Sequence, residues 1–124
     1  MLIERTKLPY LEKIIAKNAE KHFNIQTQYK FLKIKQTINK ESDIYREQLS
    51  LLRDFCETNE QGEFIQDEQG GIKIKEDKRE ECTKLHNEIN KVQIQLPDIY
   101  FSLEELEPLE LTFNELELLS TFIK

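Results

Sequence analysis

Apolar positions recur every three or four residues along most of the chain, which is the spacing of one face of an α-helix. The first such run predicts a helix over residues 8–21, with Pro9 in its first turn. The second run contains no proline or glycine and predicts one long helix over residues 23–57. A third run predicts a helix over residues 77–95, so helices account for most of the chain.

Between the two long helices the apolar spacing changes from helical to alternating. Two short alternating runs flank the loop Asp67–Gly71 and predict a β-hairpin over residues 63–75. Helices that flank a hairpin must run antiparallel, because the hairpin reverses the chain direction. We therefore expect Cys56 to lie opposite Cys82.

The last part of the chain carries two helix-start signals. Pro97 ends the preceding helix, and the segments Ser102–Glu105 and Thr112–Glu115 both have the spacing of a capping box. They predict short helices within residues 103–123. The expected fold class is mainly α with a small β-hairpin: an antiparallel helix pair joined by the hairpin, an N-terminal helix, and short C-terminal helices.

Composition limits the core and the organisation. The chain has 124 residues, the size of one domain, and only 38% are hydrophobic while 34% are charged. We expect a single domain, 1–124, with a narrow core that a homodimer would enlarge. No apolar run reaches the length of a membrane span and Met1–Lys7 lacks a signal sequence, so a cytoplasmic protein is expected.

No motif indicates an enzyme. The chain lacks a nucleophile–base signature, a phosphate-binding glycine motif and a calcium-loop spacing. We expect no catalysis, no cofactor and no metal. Cys56, Cys82 and His86 leave three interpretations open: buried core residues, a redox pair, or zinc ligands; core packing is favoured because their spacing matches no standard zinc signature.

Charge is distributed unevenly. Residues 1–58 carry eleven Lys or Arg and eight acids, whereas residues 59–124 carry seven and sixteen. No basic residue occurs between Val92 and Phe122. The acids of this stretch form a candidate surface for a basic partner protein: Asp98, Glu104, Glu105, Glu107, Glu110, Glu115 and Glu117.

The early basic stretch offers the alternative function, nucleic-acid binding. Clustered cations contact phosphates, and aromatic residues between them can stack on bases. The scarcity of arginine and the acidic net charge of −6 argue against it. The candidate residues are Lys13, Lys17, Lys21, Lys30, Lys33 and Lys35.

The layout of residues 30–123 resembles small uncharacterised proteins of Firmicute phages and prophages. The resemblance is carried by these segments: Tyr45–Gln48, Asn59–Gly62, Glu88–Pro97, Ile99–Leu106, Leu111–Leu116 and Phe122–Ile123. It implies a phage or prophage accessory protein that binds another protein, of host or phage, in the bacterial cytoplasm. Inhibition of a host defence system, as anti-CRISPR proteins do, and phage assembly are both compatible with it, and it assigns no functional residue.

Overall fold

A computed structural model describes all residues from Met1 to Lys124. The helices and strands follow in the order β1 (Leu2–Glu4), α1 (Leu8–Lys17), α2 (Ile25–Ser50), α3 (Arg79–Asn90), β2 (Gln93–Gln95), α4 (Leu103–Leu106) and α5 (Phe113–Leu119). Short 3₁₀ turns cover Arg5–Lys7, Leu51–Phe55, Glu76–Lys78 and Ser120–Phe122. The prediction of a mainly α protein with a small antiparallel β element is confirmed.

The chain divides into two compact units, which are described separately. Unit 1 comprises Met1–Asp43 and Gln93–Lys124, and unit 2 comprises Ile44–Val92. The first part of α2 therefore belongs to unit 1 and its last part to unit 2. A single domain stays a prediction. None of the helices combines the length and the apolar composition that a bilayer-spanning segment requires.

Unit 1 contains most of the buried apolar side chains. α1 and the first part of α2 face the C-terminal segment, and the core is formed by Ile3, Leu8, Leu11, Ile14, Ile34, Ile38, Ile94, Leu96, Phe101, Leu106, Leu119 and Phe122. The C-terminus is fixed to this core by a short parallel bridge between Phe101 and Ile123. The amide of Phe101 donates to the carbonyl of Phe122 at 2.6 Å.

Helix α1 ends at Lys17, four residues before the predicted boundary at residue 21. The backbone amide and the side-chain amide of Asn18 both donate to the carbonyl of Ile14, at 3.2 and 3.0 Å, and the amide of Ala19 then bonds to Ala16 instead of continuing the helical pattern. Helix α2 begins after Asn24, whose side-chain oxygen accepts from the amide of Thr27 at 2.9 Å, as an N-cap does.

The predicted helix over residues 77–95 is wrong at its C-terminal end. α3 stops at Asn90, and Gln93–Gln95 forms β2, which pairs antiparallel with β1 and places Ile94 opposite Ile3. Val92 and Leu96 are compatible with either period, but Ile94 between them completes an alternating pattern. Ile3 and Ile94 are both buried, so burial in the strand pair favours the extended conformation over another helical turn.

Unit 2 consists of the end of α2, a β segment and α3. The α-helix ends at Ser50 and gives way to a 3₁₀ turn over Leu51–Phe55, so the predicted continuous helix to residue 57 is also wrong there. The chain then becomes extended at Cys56. The Tyr45 hydroxyl donates to the Asn90 side chain at 2.6 Å, which joins α2 to α3.

The β segment contains two consecutive hairpins where one was predicted. Isolated antiparallel bridges join Thr58 to Phe64, Gln66 to Ile72 and Cys56 to Ile74. The predicted hairpin around Asp67–Gly71 is present, and a second one precedes it around Asn59–Glu63. We call residues 55–75 the β-cap.

The β-cap has an eight-residue period that closes on itself. The amide of Glu57 donates to the carbonyl of Lys73, that of Lys73 to Ile65, and that of Ile65 back to Glu57. Each of the three extended segments therefore pairs with the other two, which satisfies strand edges that would otherwise be exposed. The chain enters the β-cap from α2 and leaves it towards α3. These two helices therefore take the position that a third hairpin of the same period would have.

Candidate functional site

The structure brings the basic stretch and the acidic tail of unit 1 together. Three ion pairs join lysines of the proposed nucleic-acid site to carboxylates of the proposed protein-binding site. They are Lys17 with Glu115, Lys21 with Glu110 at 2.9 Å, and Lys30 with Glu105 at 2.9 Å. Half of the six candidate lysines are thus occupied by internal partners.

Glu105 is the most strongly held of these carboxylates. It accepts hydrogen bonds from Lys30, from the Thr27 hydroxyl at 2.7 Å and from the backbone amide of Ser102 at 3.1 Å. These donors, with Lys30 first, lower the pKa of Glu105 from 4.5 to about 2. Thr27 itself is buried, so Glu105 fixes α4 against the first part of α2.

Glu115 repeats this arrangement at the next helix. It caps α5 by accepting from the amide of Thr112 at 2.9 Å and also pairs with Lys17 of α1. The hydrogen bond from Lys17 is the main reason why the pKa of Glu115 is lowered. Both predicted capping boxes are confirmed, and each has a second role in anchoring its helix to unit 1.

The connection between α4 and α5 is held through Asn18, which is buried. Its side-chain oxygen accepts from the amide of Glu110 at 2.8 Å, while the Glu110 carboxylate pairs with Lys21. The hydrogen bond from Lys21 lowers the pKa of the Glu110 carboxyl. Glu110 therefore serves the fold of unit 1 through both its backbone and its side chain.

The other acids of the predicted surface differ in their surroundings. Asp98 pairs with the Met1 amino group at 2.7 Å, whereas Glu104, Glu107 and Glu117 are exposed and make no ion pair. Of the lysines, Lys13, Lys33 and Lys35 are exposed and make no ion pair, and the Lys33 ammonium lies 4.8 Å from the centre of the Tyr29 ring.

Unit 1 also contains an apolar cleft that the sequence did not reveal. It has a volume of about 360 Å³ and lies between α1 and the first part of α2. Buried side chains form its floor: Leu11, Ile14, Asn18, Ile34, Ile38, Phe101, Leu119 and Phe122. Half-buried or exposed side chains form its rim: Ile15, Ala19, Lys21, Phe23, Gln28, Phe31, Leu32, Lys35 and Leu109. We call this region the cleft.

Aromatic contacts give the cleft a stable wall. The Phe31 ring stacks on that of Phe101 with centroids 4.5 Å apart and contacts Phe23 at 5.1 Å. Lys21 and Lys35 are the only charged side chains that line the cleft. The floor of the cleft is therefore apolar except for Asn18, and its rim carries two lysines.

Cys56 and Cys82 lie in unit 2 and are both free thiols. They line one cavity together with His86, as expected from the antiparallel register. Burial raises the pKa of the Cys82 thiol, and the neighbouring Cys56 raises it further. No three His, Cys, Asp or Glu side chains lie close enough together to hold a metal ion.

The two loops of the β-cap have a signal in the sequence that predicts a second hairpin, whereas the cleft has none that is sufficient. Asn59–Gly62 and Asp67–Gly70 read Asn-Glu-Gln-Gly and Asp-Glu-Gln-Gly, a repeat that marks the two loops of the β-cap. The cleft had a weaker signal, since Ile15 and Leu32 were visible as apolar positions but not as neighbours across two helices. Their proximity depends on tertiary packing.

Fold and site define a mainly α protein with a small antiparallel β element, an apolar cleft with basic rim residues, and a closed β-cap. No family model, curated protein or solved structure matches the chain.

Proposed function

We propose that the protein is a non-catalytic protein-binding module whose cleft takes an apolar, acidic segment of another protein. The observation that carries this proposal is the cleft itself, an open apolar depression with a buried floor in unit 1. Its volume of about 360 Å³ falls at the lower end of the range of ligand pockets, roughly 300–1,000 Å³. An amphipathic helix can place spaced apolar anchors in such a groove.

The rim supports an acidic partner. Lys21 and Lys35 are the charged lining residues, and Lys35 makes no ion pair, so it is available to a carboxylate. Opposite charge at the edge of an apolar contact speeds association and selects the partner. The proposed partner-binding surface is therefore the cleft and not the acidic tail, where Glu105, Glu110 and Glu115 hold the fold.

Nucleic-acid binding through Lys13–Lys35 is not favoured by any contact. Lys17, Lys21 and Lys30 each pair with a carboxylate, and a phosphate would have to displace it. The remaining lysines are too few for the extended phosphate contacts on which such binding depends.

The biological setting proposed is that of a phage or prophage accessory protein in the cytoplasm of a bacterial host. It rests on the resemblance in sequence layout, and both inhibition of a host defence system and phage assembly are compatible with binding in the cleft. The genes beside this one distinguish the two: defence inhibitors nearby favour the first role, and capsid genes nearby favour the second.

Selection from a random peptide library tests the proposed binding. We expect the immobilised protein to enrich helix-compatible peptides with apolar residues at i, i+3 or i+4 and i+7, and with Asp or Glu beside them. Binding of an enriched peptide is then measured by fluorescence anisotropy. Leu32→Glu, in the rim, is expected to weaken it at least about tenfold, a loss of ~1.4 kcal/mol.

Leu103→Glu is the matched control, because Leu103 is also an exposed leucine of unit 1 but does not line the cleft. It is expected to leave peptide affinity unchanged. The proposal is wrong if no peptide is enriched, or if the enriched peptides bind Leu32→Glu as tightly as the unaltered protein.

A further inference from the structure

Unit 2 has a small core, and one of its two cysteines is part of that core. Of the side chains from Ile44 to Val92, only Cys82 and Ile89 are buried and apolar. Small units bury little surface and often depend on cross-links for stability. Both cysteines are free thiols, so a bond between them would add a constraint that unit 2 lacks in its reduced form.

Cys56 and Cys82 lie on two elements that pack together. The helix α3, which carries Cys82, packs against the 3₁₀ turn Leu51–Phe55, and Cys56 directly follows this turn. Both cysteines line the same cavity of about 630 Å³. Burial is the main reason why the pKa of the Cys82 thiol is raised, and Cys56 raises it further, an effect that weakens with distance. The two thiols therefore face a common space and lie near each other.

The two thiols differ in accessibility. Cys56 is half-buried and lines an open cavity, whereas Cys82 is only 5% exposed. The Cys56 thiol donates to the carbonyl of Leu52 at 3.3 Å, and Leu52 lines the same cavity. A small reagent that enters the cavity therefore reaches the Cys56 sulfur more easily than the Cys82 sulfur.

We propose that Cys56 and Cys82 are a dithiol pair that a low-molecular-weight disulfide, such as glutathione disulfide, converts reversibly to an intramolecular disulfide. The Cys56 thiolate attacks one sulfur of the reagent, so a mixed disulfide forms and one thiolate of the reagent leaves. Cys82 then loses its proton and attacks the Cys56 sulfur, which forms the Cys56–Cys82 bond and releases the second thiolate. The two released thiolates take up the two protons that the cysteines lost, so the protein loses two electrons and the reagent gains them.

The bond would join the start of the β-cap to α3 and close a loop over residues 57–81. Closing a loop stabilises a fold mainly because it restricts the unfolded chain. Oxidation therefore stabilises unit 2, and reduction reverses this effect. The cleft lies in unit 1 and takes no part, so this proposal and the proposed function can fail separately.

A redox titration of the full chain tests the proposal. The protein is equilibrated with glutathione and glutathione disulfide at a series of ratios, the remaining thiols are blocked, and mass spectrometry with peptide mapping identifies the products. We expect a species that has lost two hydrogen atoms, in which Cys56 is linked to Cys82. Glutathione adducts alone, disulfides between two chains, or two unreacted thiols would each overturn the proposal.

The same titration in concentrated urea is the matched control for the role of the fold. The equilibrium constant for the Cys56–Cys82 bond is expected to be at least about tenfold larger in the folded protein than in urea, because the fold holds the two thiols together. Equal constants in the two conditions would show that the fold does not place the thiols for bonding.

Single variants separate the two steps. Cys82→Ala lacks the second thiol and is expected to stop at the glutathione adduct of Cys56. Cys56→Ala keeps only the buried Cys82 and is expected to form its adduct at least about tenfold more slowly. Equal rates of adduct formation in the two variants would contradict the assignment of Cys56 as the thiol that reacts first.

Discussion

Two glutamates in unit 1 combine a local role with a tertiary one. Glu105 and Glu115 both close the capping box of their own helix, and both accept an ion pair from a lysine far away in the chain. Charged hydrogen-bond partners are stronger than neutral ones, so these two positions stabilise unit 1 more than an exposed carboxylate does. Glu104 is such an exposed carboxylate and makes no ion pair.

Glu105→Gln is expected to make the protein less stable by about 1–2 kcal/mol at pH 7, because the amide keeps the cap but loses the charge. The pKa of Glu105 is about 2 in the folded protein and lies near 4.5 otherwise, so the charged form favours folding. This stabilisation is fully present above about pH 4.5 and is lost as the pH falls towards 2.

Urea unfolding at a series of pH values measures the effect. The difference between the unaltered protein and Glu105→Gln should shrink below about pH 4.5 and vanish near pH 2. Glu104→Gln is the control and should track the unaltered protein at every pH. A difference that persists unchanged at pH 2 would show that Glu105 acts through packing and not through its charge.

Side-chain contacts between residues close in sequence could be predicted, whereas contacts between distant residues could not. The capping boxes at Ser102 and Thr112 were predictable because their partners lie three residues away. The pairing of Lys17 with Glu115 was not, because it joins positions 98 apart and depends on how the helices pack. As a result, six of the thirteen charged residues that the sequence offered as two opposite binding sites pair with one another within unit 1.

At the scale of elements, the β-cap depends on two equivalent loops. In each, one side-chain oxygen accepts from two backbone amides: Asn59 from Gln61 and Glu63, and Asp67 from Gln69 and Gly71. Each loop also contains a glycine in the left-handed region, Gly62 at φ 79° and Gly70 at φ 82°. The repeat in sequence thus reproduces the same turn twice.

Gly70→Ala is expected to destabilise the protein by about 1–2 kcal/mol, because the added methyl group meets no atom within 4 Å but disfavours a positive φ. Gly71→Ala is the matched control, since Gly71 has no positive φ and its added Cβ would lie 3.4 Å from the Asp67 carboxylate. Its effect should stay within about 0.5 kcal/mol. Thermal unfolding followed by circular dichroism compares the two, and equal losses would contradict the assigned role of φ.

Helices and strands could be predicted where the apolar residues fit only one spacing, and not where they fit both the helical and the alternating one. α1 and α3 lie within predicted helices because their apolar residues fit only the helical spacing. Residues 92–96 fit both periods, and the choice depends on β1, which lies at the other end of the chain. The ending of α2 at Ser50 was likewise not predictable, because Leu49, Leu52 and Cys56 continue the helical spacing past it.

In the molecule as a whole, the two units differ in how many of their apolar side chains are buried. Unit 1 buries nearly all of the core, whereas unit 2 buries only Cys82 and Ile89. The low hydrophobic fraction of the sequence predicted a narrow core but not this unequal division. The cleft therefore lies in the unit that has the larger buried core.

Replacing a buried and an exposed leucine of unit 1 with alanine tests where the core lies. Leu8 is fully buried, at 0% exposure, whereas Leu103 is 66% exposed. Leu8→Ala is expected to cost about 2–5 kcal/mol through lost contacts and a cavity, and Leu103→Ala less than about 0.5 kcal/mol. Urea unfolding gives both values, and a loss below about 1 kcal/mol for Leu8→Ala would contradict the proposed core.

Amide chemical-shift mapping shows whether the cleft of unit 1 binds an apolar, acidic protein segment, as we propose. Titration of the ¹⁵N-labelled protein with a library-selected peptide should shift the amides of cleft residues, Ile15, Phe31, Leu32 and Lys35 among them. The amides around Leu103 and Phe113, which are exposed but lie outside the cleft, should not move. Shifts confined to the C-terminal segment, with the cleft unperturbed, would contradict the claim.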